Sequence, residues 1–159
     1  MERIPGIVLR KDLPALIHND YKFDNVVLDP EDPLNIIGVL DWEMTTLGDP
    51  MMDLGGTLAY WIEPDDPEEM QLIRSIPTNA EGMLRRRDLV AVYEELSGRP
   101  MTHYGFYYCF GLFKLAGICQ QIYYRYYHGQ TQDEHFKVFG GVTGILEKAA
   151  MRVIEGPKL

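Results

Sequence analysis

The side chains best suited to chemistry in this 159-residue chain cluster between positions 17 and 53. His18, Asp20 and Asn25 follow the spacing His-x-Asp-x-x-x-x-Asn, and Asp41 closes the apolar run Ile36-Ile37-Gly38-Val39-Leu40. An aspartate can accept the proton of an attacking hydroxyl. An asparagine and a second aspartate can hold Mg²⁺, whose charge offsets that of phosphates. Those are the groups phosphoryl transfer requires. Each piece alone is a weak signal; the assembled spacing is a specific one.

The local elements must bring these residues together. Val26-Val27-Leu28 and 36–40 are short apolar runs separated by Asp29-Pro30-Glu31-Asp32-Pro33, a stretch of turn formers. This predicts an antiparallel hairpin. One strand leaves at Asn25 and its partner returns at Asp41, so a metal can bridge residues sixteen apart in the chain. Ala15–Ile17 is a further brief apolar run ahead of the motif. From Asp49 onward the pattern is helical. Asp49-Pro50 reads as an N-cap with proline at the first helical position, opening a helix to about Trp61. Glu63-Pro64-Asp65-Asp66-Pro67 breaks it. Helices are then expected over 67–74, over 79–97 ending at Gly98, over 102–128 and from Asp133 to Ile154. No internal repeat or linker interrupts the chain, so residues 1–159 read as a single domain.

Composition narrows the class. The mass is 18.3 kDa, 46% of residues are hydrophobic and 25% are charged, a globular profile with enough length for its own core. The net charge of −9 argues against non-specific nucleic-acid or anionic-membrane binding. Residues 20–69 hold fourteen acids and one base, Lys22. A solvated acidic face explains most such runs, but Asp20 and Asp41 sit beside apolar segments and call for a partner such as a divalent cation. Cys109 and Cys119 lie ten positions apart in one helical segment, about 15 Å, too far to pair with each other. With no disulfide framework, a cytoplasmic location is expected. Residues 1–11 lack a signal-peptide apolar core, and no uncharged run is long enough to span a bilayer.

The string His18-Asn19-Asp20, Asn25, Leu40-Asp41-Trp42-Glu43, Leu47-Gly48-Asp49-Pro50, Asp53-Leu54 resembles the carboxy-terminal lobe of the aminoglycoside phosphotransferase and choline kinase-like superfamily. It is most similar to the branch found with acyl-CoA dehydrogenases. The resemblance implies an α+β, mainly helical, protein-kinase-like lobe with a small hairpin at its catalytic loop. It implies Asp20 as catalytic base, His18 as the residue orienting the loop, and Lys22 beside the transferred phosphate. Asn25 and Asp41 become the metal ligands, with Mg²⁺ and ATP as cofactors. Asp53 supports the loop from the first helix, where Asp49 is the cap. The implied activity is phosphorylation of a small-molecule hydroxyl, such as a hydroxyacyl metabolite.

Two departures from the family pattern stand out. Asn19 replaces the usual glycine, and asparagine tolerates a left-handed backbone better than most residues. His18 follows only seventeen residues, which leaves no room for the amino-terminal, ATP-binding lobe. The expectation is therefore a partial kinase that is inactive as an isolated piece. Its uncovered cleft face, with Ile4, Ile7, Val8 and Trp42, is expected to pair with a second copy in a homodimer. The competing readings are a non-catalytic, pseudokinase-like binding module and a metal-dependent phosphohydrolase. Elsewhere the chemistry reads as bland. The aromatics of 104–127 suit core packing, with some rings free to line an acceptor pocket. Arg85-Arg86-Arg87 suits a solvated helix face better than an anion site. Glu43 and Asp24 suit solvent, and His103, His128 and His135 have no metal-ligand spacing.

Overall fold

The computed structural model describes residues 15–156. Expectations that fall on residues 1–14, including those for Ile4, Ile7 and Val8, lie outside that range. Among the described residues four short strands precede five helices: β1 (Ala15–Ile17), β2 (Val26–Leu28), β3 (Ile36–Val39), β4 (Thr46–Gly48), then α1 (Pro50–Tyr60), α2 (Glu68–Leu72), α3 (Arg86–Ser97), α4 (Tyr104–Tyr127) and α5 (Phe139–Glu155). Single 3₁₀ turns occupy Phe23–Asn25, Trp42–Met44 and Glu134–Val138.

The strands form two separate antiparallel pairs. β2 and β3 make the expected hairpin, with Val26 opposite Val39 and Val27 opposite Gly38, and an irregularity before Leu28. β1 pairs with β4, Leu16 opposite Leu47. β4 is absent from the sequence reading. It is three residues long and its partner lies thirty residues earlier, so no local period announces it. The second pair encloses the first in sequence, which draws the residues just after β1 and just after β3 to one place.

The helices follow from local rules at most of their ends. Asp49 caps α1, its carboxylate accepting the Met51 amide at 2.9 Å, with Pro50 in the first turn. Gly98 closes α3 in the left-handed conformation, φ 64°. One helix is shorter than expected: residues 79–85 are turns, and α3 starts at Arg86. Gly82 takes φ 87° among them, and Thr78 stands just before them. Its buried hydroxyl accepts from the Ile62 amide and donates to the Ile62 carbonyl, both at 2.9 Å, which ties this segment to the end of α1. Arg86 is likewise drawn inward, to Asp66 at 2.5 Å and Glu63 at 3.3 Å, so the arginine run is not a uniformly solvated face. The last helix also differs, since Asp133 caps a 3₁₀ turn and α5 begins at Phe139.

The core lies among α1, α4 and α5, with Leu58, Leu112 and Leu146 fully enclosed. α1 and α4 cross with their backbones in contact. A methyl group on Gly111 would sit 2.0 Å from the Gly55 carbonyl oxygen, and one on Gly55 would sit 2.2 Å from the Tyr107 carbonyl oxygen. Only glycine fits at that crossing. Of the aromatics on α4, Tyr107 and Tyr108 are buried, whereas Phe113, Tyr124 and Tyr127 face outward, so the run is only partly core.

Candidate functional site

Residues 18–25 leave β1 as a loop, and its first peptides are held by side chains from elsewhere. The His18 amide donates to Oδ2 of Asp53 and the Asn19 amide to Oδ1, both at 2.7 Å. Asp53 lies in the first turn of α1, where a carboxylate also suits the helix dipole. Asn19 adopts φ 68°, the left-handed region usually left to glycine. Its side chain takes a share in the loop, Nδ2 donating to the Met44 carbonyl at 2.9 Å.

His18 is buried between the ends of the two strand pairs. Its Nδ1 accepts the Asp20 amide at 3.2 Å, and Nε2 lies 2.6 Å from the Leu40 carbonyl. Both bonds form together only in the neutral tautomer that carries its proton on Nε2. The Trp42 ring packs on the imidazole at 4.8 Å, and its own Nε1 donates to the Val39 carbonyl at 2.8 Å. The imidazole thus joins the loop containing Asp20 to the strand end that precedes Asp41.

Asp20 and Asn25 are direct neighbours. Oδ2 of Asp20 accepts Lys22 Nζ at 2.9 Å and Asn25 Nδ2 at 3.0 Å. The same Asn25 nitrogen reaches the Asp20 carbonyl at 2.7 Å. Oδ1 of Asp20 accepts the Tyr60 hydroxyl at 3.3 Å. Burial and then the Asp20 charge push the Tyr60 pKa above the ordinary phenol range, so it remains a donor. Lys22 lies over the Tyr60 ring, 4.7 Å from its centre.

The hairpin closes the gap to Asp41. Beyond the Val26–Val39 pair, the Leu40 amide donates to the Asn25 carbonyl at 2.8 Å. Asp41 follows at once with φ 61°, a second left-handed non-glycine residue. Asn25 spends its amide nitrogen on Asp20, which leaves its amide oxygen for a cation. The Asn25 oxygen and the Asp41 carboxylate are hard donors of the kind Mg²⁺ prefers. Among the described residues no set of three or more His, Cys, Asp or Glu forms a metal cage. A pair of protein oxygens suits a Mg²⁺ that takes its remaining ligands from phosphates and water.

Asp49 and Asp53 stand at the start of α1 with different partners. The second Asp49 oxygen accepts the Tyr107 hydroxyl at 2.8 Å, which fastens the cap to α4. The motif spacing does not reach Tyr60 or Lys114. Tyr60 gave no signal. Lys114 did: it interrupts an apolar helix, and a half-buried cation there needs a partner. Its Nζ lies 2.5 Å from the Asn19 carbonyl and 3.3 Å from Asn19 Oδ1. Burial lowers its pKa, with the charges of Asp53 and Asp20 acting in the opposite direction.

Beside the loop an apolar groove of about 760 Å³ runs between the hairpin and α3, with Leu16, Leu28, Leu34, Ile36, Val92 and Leu96 on its walls. Tyr21, Lys22 and Phe23 of the loop border it. Among the described residues no helix is long and apolar enough to cross a membrane.

An aspartate bonded to an asparagine, whose own carbonyl is paired with the strand end just before a second aspartate, lies at the edge of a mainly helical, kinase-like fold. Residues 4–89 match the phosphotransferase enzyme family, APH, and the chain belongs to that family. Its fold matches a crystal structure from Ralstonia eutropha described as a "putative aminoglycoside phosphotransferase", with a TM-score of 0.76 and 29% identity, over 97% of this chain and 47% of that one. Acyl-CoA dehydrogenase family member 11 of Mus musculus is 33% identical over 79% of this chain and 17% of its own length. Family member 10 of Mus musculus is 30% identical over 94% of this chain and 14% of its own. Human family member 11 is 28% identical over 91% and 19%. The chain therefore spans less than a fifth of these relatives and about half of the solved structure.

Proposed function

We propose that this chain carries the catalytic loop of an ATP- and Mg²⁺-dependent phosphotransferase acting on a small-molecule hydroxyl. The observation that carries the reading is the place of Asn25: its side chain bonds Asp20, and its carbonyl accepts the amide of Leu40, the residue before Asp41. In this reading Asp20 accepts the proton of the acceptor hydroxyl as that oxygen bonds to phosphorus and the bond to the leaving phosphate oxygen breaks. Asn25 and Asp41 hold Mg²⁺, which when bound offsets the charge of the phosphates. Lys22 has two anionic partners to serve. It is paired with Asp20 at 2.9 Å, and in this reading it is also the cation that a transferred phosphate would meet.

The acceptor class rests on the relatives. Several are named acyl-CoA dehydrogenase family members, so an acyl metabolite bearing a hydroxyl is the natural candidate. The apolar groove bordering Tyr21 and Phe23 is suited to an acyl chain. The two cysteines are unpaired, and burial pushes both thiols up, so neither is poised as a thiolate nucleophile. The test is a phosphotransfer assay on the full-length gene product, with Mg²⁺-ATP and a panel of hydroxy acids and their coenzyme A esters. Turnover of a hydroxyacyl compound is expected. No turnover across the panel, with ATP bound, would favour a non-catalytic binding module.

A further inference from the structure

We propose that Lys114 is a positioning residue that holds the peptide plane between Asn19 and Asp20, and through it the Asp20 side chain. The consequence for catalysis rests on the phosphotransferase reading; the positioning role does not.

That plane is gripped at both ends. Its carbonyl accepts Lys114 Nζ at 2.5 Å, and its amide hydrogen goes to His18 Nδ1 at 3.2 Å. The peptide before it is held by Asp53 through the Asn19 amide. A left-handed residue with a Cβ is disfavoured, so position 19 needs outside support. Lys114 supplies it twice, since Nζ also reaches Asn19 Oδ1. A glycine at 19 would offer only the carbonyl. Asn19 and Lys114 are therefore matched: the asparagine that strains the loop also provides the second acceptor that recruits the lysine.

The same helix crossing delivers both supports. Gly111 lies one turn before Lys114 on α4, and Gly55 lies two residues after Asp53 on α1. Their backbone contact brings the helices close enough for a carboxylate from one and an ammonium from the other to reach adjacent peptides of the loop. This explains a cation placed in an otherwise apolar stretch of α4. Its charge sits near Asp20 and Asp53 together.

Nitrogen-15 NMR of the full chain decides the matter. Lys114→Met keeps the length of the side chain and removes its donors. Exchange of the Asp20 amide is expected to quicken about tenfold or more, while core amides such as that of Leu112 keep their rates. The His18 ring should lose its hydrogen-bonded Nδ1 signature, and Lys114→Arg should restore both. Asp20 exchange within about twofold of wild type in Lys114→Met would overturn the role. Should that variant not fold, the wild-type chain gives a second readout. An ammonium held on a carbonyl exchanges its own protons slowly, so a Lys114 signal as fleeting as that of exposed Lys148 would also overturn it. In the active full-length enzyme, Lys114→Met should lower kcat by up to about 10²-fold with the nucleotide KM unchanged. Fast Asp20 exchange in the variant, with no phosphotransfer by wild type, would support the positioning role and reject the phosphotransferase reading. Slow exchange in the variant of an active enzyme would reject the positioning role alone.

Discussion

The strand-bearing part of this molecule and its helical part are held together by different means. In the helical part Leu112 and Leu146 are each 0% exposed, and α1 and α4 touch backbone to backbone. In the strand-bearing part Leu28, Ile36, Ile37 and Leu47 are all exposed, and order comes from hydrogen bonds between side chains and main chain. The helices thus supply stability and the strands supply placement. Four side chains of the helical part hydrogen-bond to the loop: Asp53, Thr57, Tyr60 and Lys114. Changes on the two sides should separate accordingly, and the largest test of that separation is at the loop. Asp20→Asn retains the shape and removes the proton acceptor. In the complete enzyme turnover should fall about 10²–10⁴-fold with the unfolding midpoint unchanged. Near-normal turnover would show that another group takes the proton.

The converse test lies in the core. Leu112→Ala leaves a cavity where α4 meets its neighbours, and such changes cost about 2–5 kcal/mol. Denaturant titration should show this as a lower midpoint at a similar slope. The Asp20 loop should retain its hydrogen-bond pattern in the molecules that stay folded. If the loop amides lose protection ahead of global unfolding, the two parts are less independent than their packing suggests.

What the sequence revealed follows the same division. Asp49-Pro50, Gly98 and the turn formers of 29–33 act within a few residues, and the elements they imply are present. The His-x-Asp-x-x-x-x-Asn spacing is equally local, so the loop could be read directly. The misses are long-range. β4 exists only because Leu47 finds Leu16. Residues 79–85 stay out of the helix, where Gly82 takes φ 87° and Thr78 just before them is tied to Ile62. Lys114 meets a partner 95 positions away, and Tyr60 one 40 positions away. Helix periodicity carries no record of such pairings.

Alkaline pH offers a smaller and more graded probe of the helical side. Burial raises the pKa of Tyr60, Tyr107 and Tyr108, that of Tyr108 to about 12, against about 10 for an unfolded tyrosine. The folded state holds these protons more tightly than the unfolded state does. Their contribution is fully present below pH 10 and declines as pH rises from there through the folded values. Melting temperatures measured between pH 8 and 12 should be level at first and then fall above about pH 10. Tyr108→Phe should reduce the slope of that fall. An unchanged slope would place the titrating groups elsewhere.

The smallest effect on the folded monomer is expected at Leu34, on the hairpin turn and 96% exposed. Leu34→Asp removes no packed contact, so its stability should stay within about 0.5 kcal/mol of wild type. Yet Leu34 borders the groove, where, among the described residues, the apolar side chains of the hairpin and α3 meet without cover. Apolar patches of this kind are rarely left to water, and a second copy offers the same surface in return. Light scattering of the 159-residue chain is therefore expected to report a dimer at micromolar concentration. Leu34→Asp places a charge at the groove rim and, across a two-fold axis, sets like charges on both copies. It should shift the protein toward monomer while its melting curve, measured at low concentration, stays in place. A wild-type chain that is strictly monomeric would separate the groove from self-association and leave it to the acyl chain of an acceptor. A dimer indifferent to Leu34→Asp would move the interface to another face, and the strand-bearing side would then owe its order to the loop contacts alone.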